Sequence, residues 1–225
     1  HRPPLRGIFV QAAFRSNLAI VGVALAVSAY GERGPQLAAL PVAVMTALYN
    51  VLAVWVLDAT HGGRTSAVSV LKGVLSNPLI IGILAGVALA LSPLPVPGLV
   101  APLSAGLSTF FLPLMLLCIG GSIHLGELRR AGAFSWEAAG WRLCVSPLLT
   151  VLLALALGVH GAALGVLFLL VASPVAASSF VMVVAAGGDG ALAARVVVLT
   201  TLLSAITVTV GFYLLSLLSL VGELA

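Results

Sequence analysis

The sequence predicts an all-α polytopic membrane protein, and three observations carry that prediction. Of its 225 residues 61% are apolar and only 7% charged, against about 25% charged in a soluble domain. The mean hydropathy is +1.24. The apolar residues also gather into seven segments, most of them within the roughly 17–25 residues that cross a bilayer as a helix. So few charges do not cover a water-exposed surface, which sets aside a soluble enzyme and a disordered regulator. The net charge of +4 and the pI near 9.7 do not indicate a nucleic-acid partner, because the basic residues stand singly between apolar runs.

The spans are predicted at about 10–29, 37–57, 78–92, 99–123, 140–158, 162–186 and 192–217. In the first, Arg15, Ser16 and Asn17 interrupt the apolar run and Gly22 follows. Arg15 is expected to snorkel to the cytoplasmic interface. Asn17 has a side chain too short for that, so it either bonds a neighbouring helix or contacts a substrate. Asn50, beside Thr46 and Tyr49 in the second span, has the same two readings. Residues 58–77 form a cytoplasmic linker with a short interfacial helix from Ser66, ended by Asn77-Pro78.

The third span is short and stops at Pro93, Pro95 and Pro97. Cys118 in the fourth and Cys144 in the fifth have no near partner and suggest neither a disulfide nor a metal site. The sixth carries Pro174 at its centre, with Ser173, Ser178 and Ser179 around it. A mid-helix proline deletes a backbone hydrogen bond and clashes with the preceding turn. The amides that open the next half-helix are then suited to holding an anion at mid-membrane. An ordinary proline kink, with serines bonded to the previous turn, is the other reading. In the last span Thr200, Thr201, Ser204 and Thr207 are expected to pack or bond locally.

Basic residues set the orientation. With alternating sides, Arg2, Arg6, Arg64, Lys72, Arg129, Arg130, Arg142 and Arg195 fall on one side and Arg33 alone on the other. The N-terminal end is therefore expected to be cytoplasmic and the C-terminus extracytoplasmic, in the cell (inner) membrane.

Two span pairs resemble one another. Leu37-Ala38-Ala39 and Leu192-Ala193-Ala194, and then Thr46 and Thr201, share an offset of 155. Five spans separate the starts of the two pairs, so they cross the membrane in opposite senses, the plan of inverted-repeat transporters. On this reading 1–57 holds the last two helices of a first repeat and 78–219 a complete five-helix second repeat. About three spans and roughly 78 residues are then expected ahead of His1, in line with the missing initiator Met.

The chemistry of the spans narrows the function classes. No Asp, Glu or Lys lies deep in any span, and the four histidines sit in loops or at span ends. A retinal Schiff base, an intramembrane protease and a metal centre all lack their residues, and no ATP-binding motif is present. No cofactor and no enzymatic activity are expected.

These residues resemble the auxin efflux carrier family, which includes plant exporters and bacterial permeases. The resemblance rests on Gln11-Ala-Ala-Phe-Arg-Ser-Asn17, Gly22, Tyr30-Gly31, Tyr49-Asn50, Asn77-Pro78-Leu-Ile-Ile-Gly82, Ser173-Pro174, Phe180 and Gly187-Gly188-Asp189. It implies a ten-helix fold of two inverted five-helix repeats, similar to bile-acid symporters and sodium–proton antiporters, with crossed broken helices and elevator-type movement. Here those helices are 10–29, broken near Gly22, and 162–186, broken at Pro174. Asn17, Asn50, Ser173, Pro174, Ser178 and Ser179 are the implied substrate-binding residues. Spans 78–92 and 99–123 belong to the implied scaffold, through which a homodimer forms.

Two prolines of the plant pattern are replaced, by Ala24 and Ser179. The short loops match bacterial members, for which a dicarboxylate is a more fitting substrate than an auxin-like acid. The sequence therefore reads as a secondary transporter of a small organic anion in a lipid bilayer. A sodium-coupled symporter is the alternative within transport, and a seven-span membrane receptor the alternative from another class.

Overall fold

The structure, a computed structural model, describes residues 3–61 and 131–223, with a few scattered positions between 81 and 126. Expected spans 78–92 and 99–123, the interfacial helix and most of linker 58–77 lie outside the described residues, apart from those scattered positions. The expected scaffold lies there with them.

A backbone in lipid must satisfy its own polar groups, and the described spans do so as helices. The first expected span is two helices, α1 (Pro3–Phe14) and α2 (Leu18–Tyr30), and α2 opens with a π-helical turn at Leu18–Gly22. Next come α3 (Arg33–His61) and α4 (Ala133–Ala156), which holds a second π-helical turn at Trp141–Val145. The sixth expected span is also two helices, α5 (Gly161–Ala172) and α6 (Ser178–Ala185), followed by α7 (Gly190–Leu217). Among the described residues, three stretches are long and apolar enough to cross a bilayer unaided, Arg33–Leu57, Ala133–Ala156 and Gly190–Leu217.

The helix ends have local causes. α2 stops because Gly31 takes φ +55° and ψ −136°, a conformation that side chains disfavour. α7 starts where the Asp189 carboxylate accepts a hydrogen bond from the Leu192 amide at 2.9 Å, an N-cap.

The core is centred on α5. Leu164, Val166, Phe168, Leu169, Leu170 and Ala172 are all buried, which is expected of a helix that is apolar on every side. Around them pack Leu18, Ala26 and Tyr30 of α2, Ala38 and Val42 of α3, Val151 and Ala154 of α4, and Val208 of α7. Tyr30 donates its hydroxyl hydrogen to the Val221 carbonyl at 2.9 Å, which fastens the segment after α7 to the end of α2. Outward faces carry exposed Leu40, Leu48 and Trp55 on α3, Leu149 and Leu153 on α4, and Ile206 and Tyr213 on α7. Such apolar outer faces are what contact with lipid tails calls for.

Candidate functional site at the helix crossing

Two helices are interrupted, and the interruptions meet. The first break spans Arg15 to Asn17 and the second Ser173 to Ala177. Ser16 and Val175 pair as an antiparallel β-bridge. The Asn17 amide donates to the Pro174 carbonyl at 2.8 Å, and the Ala176 amide donates to the Arg15 carbonyl at 3.2 Å. Breaking a helix in lipid frees polar groups that have no water to turn to. Here each break supplies the partners for the other. The Asn17 carbonyl accepts from both Val21 and Gly22, at 3.0 and 3.1 Å, and so forms the π turn that restarts the helix.

Thr200 of α7 completes the crossing. Its hydroxyl donates to the Val196 carbonyl at 2.8 Å and accepts from the Val175 amide at 3.2 Å. Local bonding is thus half of its role, and the other half supports the break. Thr200→Val keeps the shape but leaves the buried Val175 amide unpaired. That is expected to cost about 1–3 kcal/mol, read as a melting temperature lower by roughly 2–4 °C per kcal/mol in the purified protein.

Arg15 does not snorkel. It is 8% exposed and points into the bundle. Its Nε and Nη2 donate to the Ser178 hydroxyl at 3.3 and 3.1 Å, Nη2 to Asn50 Oδ1 at 3.0 Å, and Nη1 to the Tyr49 carbonyl at 3.2 Å. The expectation failed because acceptors on α3 and α6 surround the guanidinium inside the bundle. Next to it, the Ser16 and Tyr49 hydroxyls share a hydrogen bond of 3.2 Å.

Arg142 is the second correction. The sequence places it with the cytoplasmic loops, yet it is fully buried. α4 begins at Ala133, so Arg142 lies about 13 Å along the helix. Its Nε donates to the Ser173 carbonyl at 3.2 Å, and Nη1 donates to the Ala13 and Phe14 carbonyls at 3.1 Å each.

The remaining sequence candidates separate into two groups. Asn50 and Ser178 bring side chains to the crossing through Arg15, and Ser179 is buried next to Ser178. Asn50 Nδ2, Ser179 Oγ and Arg142 Nη2 are buried without a hydrogen-bond partner. Asn17, Ser173, Pro174 and Gly22 act largely through the backbone. The Asn17 side chain does not cap α2, and Ser173 Oγ bonds back to Leu169 at 2.8 Å. Gly22 is not the point of breakage, which falls five residues earlier at Asn17. Instead Gly22 lets α2 lie against α5: a Cβ there would stand 2.9 Å from the Leu170 Cα and 2.9 Å from Ser173 Oγ.

Sequence reasoning took Gln11 as part of the family string but not as a site residue; it is buried and directs Nε2 at Met182 Sδ at 3.7 Å. Its signal was available as a polar residue one turn before the Arg-Ser-Asn triplet.

The site therefore holds two arginines, unpaired donors on Asn50, Ser179 and Arg142 Nη2, and the opening of α6 at Ser178. Neither arginine has a carboxylate partner among the described residues. An arrangement of donors and positive charge without an acid is suited to an anion.

Compared with known families, residues 62–212 match the one described as membrane transport protein. That stretch contains α4, α5, α6 and most of α7. No curated protein and no solved structure matches the chain.

Proposed function

The chain belongs to the membrane transport protein family, that of the auxin efflux carriers, and on that premise we propose that it is a secondary transporter of a small organic anion bound where its broken helices cross. As a family member it is a multi-pass membrane protein and a transporter, not an enzyme. The transporter family also displaces the seven-span receptor reading.

One observation carries the choice of an anion. The Arg15 guanidinium lies at the Ser178 end of α6, which is the positive end of that half-helix. Cation and positive dipole end are unfavourable neighbours, by about 0.3–1 kcal/mol at exposed sites and more when buried. A carboxylate between them turns both interactions favourable, and arginine offers it a two-pronged contact. Asn50 Nδ2, Ser179 Oγ and Arg142 Nη2 are buried donors free to join.

Further parts of the reading follow the family plan. Residues 1–57 are the end of a first repeat and 78–219 a second, inverted repeat. The crossing moves as part of an elevator-type transport domain, and copies pair through spans 78–92 and 99–123. The N-terminal end of this chain faces the cytoplasm. Arg142 drops out of the loop count that supports this, and the remaining basic residues keep the same bias.

The test is uptake into proteoliposomes of the complete protein, with radiolabelled malonate, malate and an indole acid. Accumulation of the dicarboxylates ahead of the indole acid is expected. Transport of organic cations with no uptake of any acid would overturn the reading.

A further inference from the structure

Half-helices that end at a crossing turn their last carbonyls toward one another. In ion-coupled carriers such C-terminal ends and unwound carbonyls are where sodium or a proton is held. The C-terminal end of a helix carries about half an elementary negative charge. Two of them meet here, α1 ending at Phe14 and α5 at Ala172. Together they come to roughly one negative charge, which a single cation balances.

That cation is already present as part of the chain. The Arg142 guanidinium donates to Ala13 and Phe14 at the end of α1 and to Ser173 just past the end of α5. It is completely buried. It leaves α4 at the Trp141–Val145 π turn, a feature that often marks functional positions. Three carbonyls that would make good ligands for a bare cation instead share one guanidinium. No carboxylate among the described residues bonds this group.

We propose that Arg142 is a tethered cation standing where a coupling ion would bind, so that the crossing is held closed with no need of sodium. A guanidinium keeps its proton in proteins, so the position does not exchange a proton either. The two helix ends are charge-balanced without a bound ion, and the anion crosses without a monovalent cation at this place. The consequence for transport rests on the anion-carrier reading above, whereas the replacement of the ion by Arg142 does not.

The test uses the purified full chain and asks separately about charge and transport. Wild-type melting temperature is measured in sodium, potassium and choline chloride at equal ionic strength. Arg142→Ala is measured with millimolar guanidinium or with urea, its uncharged analogue of the same shape. Arg142→Lys and Arg142→Met are measured alongside. The wild type is expected to melt at the same temperature in all three salts. Arg142→Ala is expected to melt at least about 5 °C lower and to recover half or more of that loss in guanidinium and none in urea. Arg142→Lys is expected to stay closer to the wild type than Arg142→Met.

Sodium-specific stabilisation of the wild type would overturn the proposal, and so would equal responses of Arg142→Ala to guanidinium and urea. If the alanine variant does not survive purification, the lysine–methionine pair decides. Greater stability of the lysine form supports the tethered cation and equal stability overturns it. Malonate uptake by the wild type in the same three salts then reads the transport consequence. Equal rates are expected, and a sodium requirement overturns that consequence. Guanidinium rescue without uptake of any acid would instead sink only the choice of substrate.

Discussion

Asn50→Asp is expected to abolish uptake of the transported anion while leaving the protein at least as stable as the wild type. The substitution places a carboxylate where an amide stands, 3.0 Å from Arg15 Nη2. Introducing an acid into a buried site is normally costly because its charge must be desolvated. Here the arginine is already buried and already lacks a carboxylate, so the new charge neutralises an existing one. A charge-assisted hydrogen bond of this kind contributes about 1.5–3 kcal/mol. An external carboxylate then has to displace a built-in one, and its binding weakens by roughly 100-fold for each 2.8 kcal/mol.

The pairing of the two readouts is what makes this variant informative. A fall in uptake with a lower melting temperature would mean only that the site had been damaged. Lower uptake at equal or higher stability means that the transported anion and the introduced carboxylate compete for Arg15. Arg15→Met provides the complement, losing uptake because the charge itself is gone. Undiminished malonate uptake by Asn50→Asp would remove Arg15 from the binding site.

The second large effect is expected at Gly22. Gly22→Ala adds one carbon, and that carbon meets the Leu170 Cα at 2.9 Å. A side-chain tip swings aside, but a backbone atom in a buried helix does not. α2 and α5 must therefore separate by a few tenths of an ångström at the level of Ser173. Overpacking of this kind costs about 1–3 kcal/mol. The displacement is also transmitted to the Asn17–Pro174 hydrogen bond, five residues away along α2. Lower melting temperature and lower uptake are expected together in proteoliposomes. Wild-type values for both would mean that the crossing tolerates a wider spacing than its geometry implies.

Much of the helical layout was legible in the hydropathy. The spans expected at 37–57, 140–158 and 192–217 appear as α3, α4 and α7, each differing from expectation mainly at its ends. The Gly187-Gly188-Asp189 string named in the resemblance contains the residue that caps α7. Positions of residues along a span were legible; the direction in which a side chain points was not. Arg15 is the instructive case. An arginine five residues into an apolar run reads as a snorkelling one, because hydropathy says nothing of acceptors on other helices. Asn50 and Ser178, the two that decide the matter, lie 35 and 163 residues away.

Arg142 was misplaced for a different reason. The span is expected at about 140–158, which leaves Arg142 at its cytoplasmic end. The helix in fact begins at Ala133, and a residue counted at the membrane surface becomes one at the crossing. Gly22 shows a third kind of failure. Glycine reads as a helix breaker, whereas here its use is the absence of a side chain where two helices touch.

The backbone pairing of Ser16 with Val175 has a consequence for how a broken helix is encoded. α1 and α2 are interrupted with no proline of their own between Arg15 and Ala24. The only proline in either break is Pro174, and its carbonyl receives the amide that α1–α2 would otherwise spend on its own turn. One breaker thus serves two helices, and the instruction to unwind the first is written in the second.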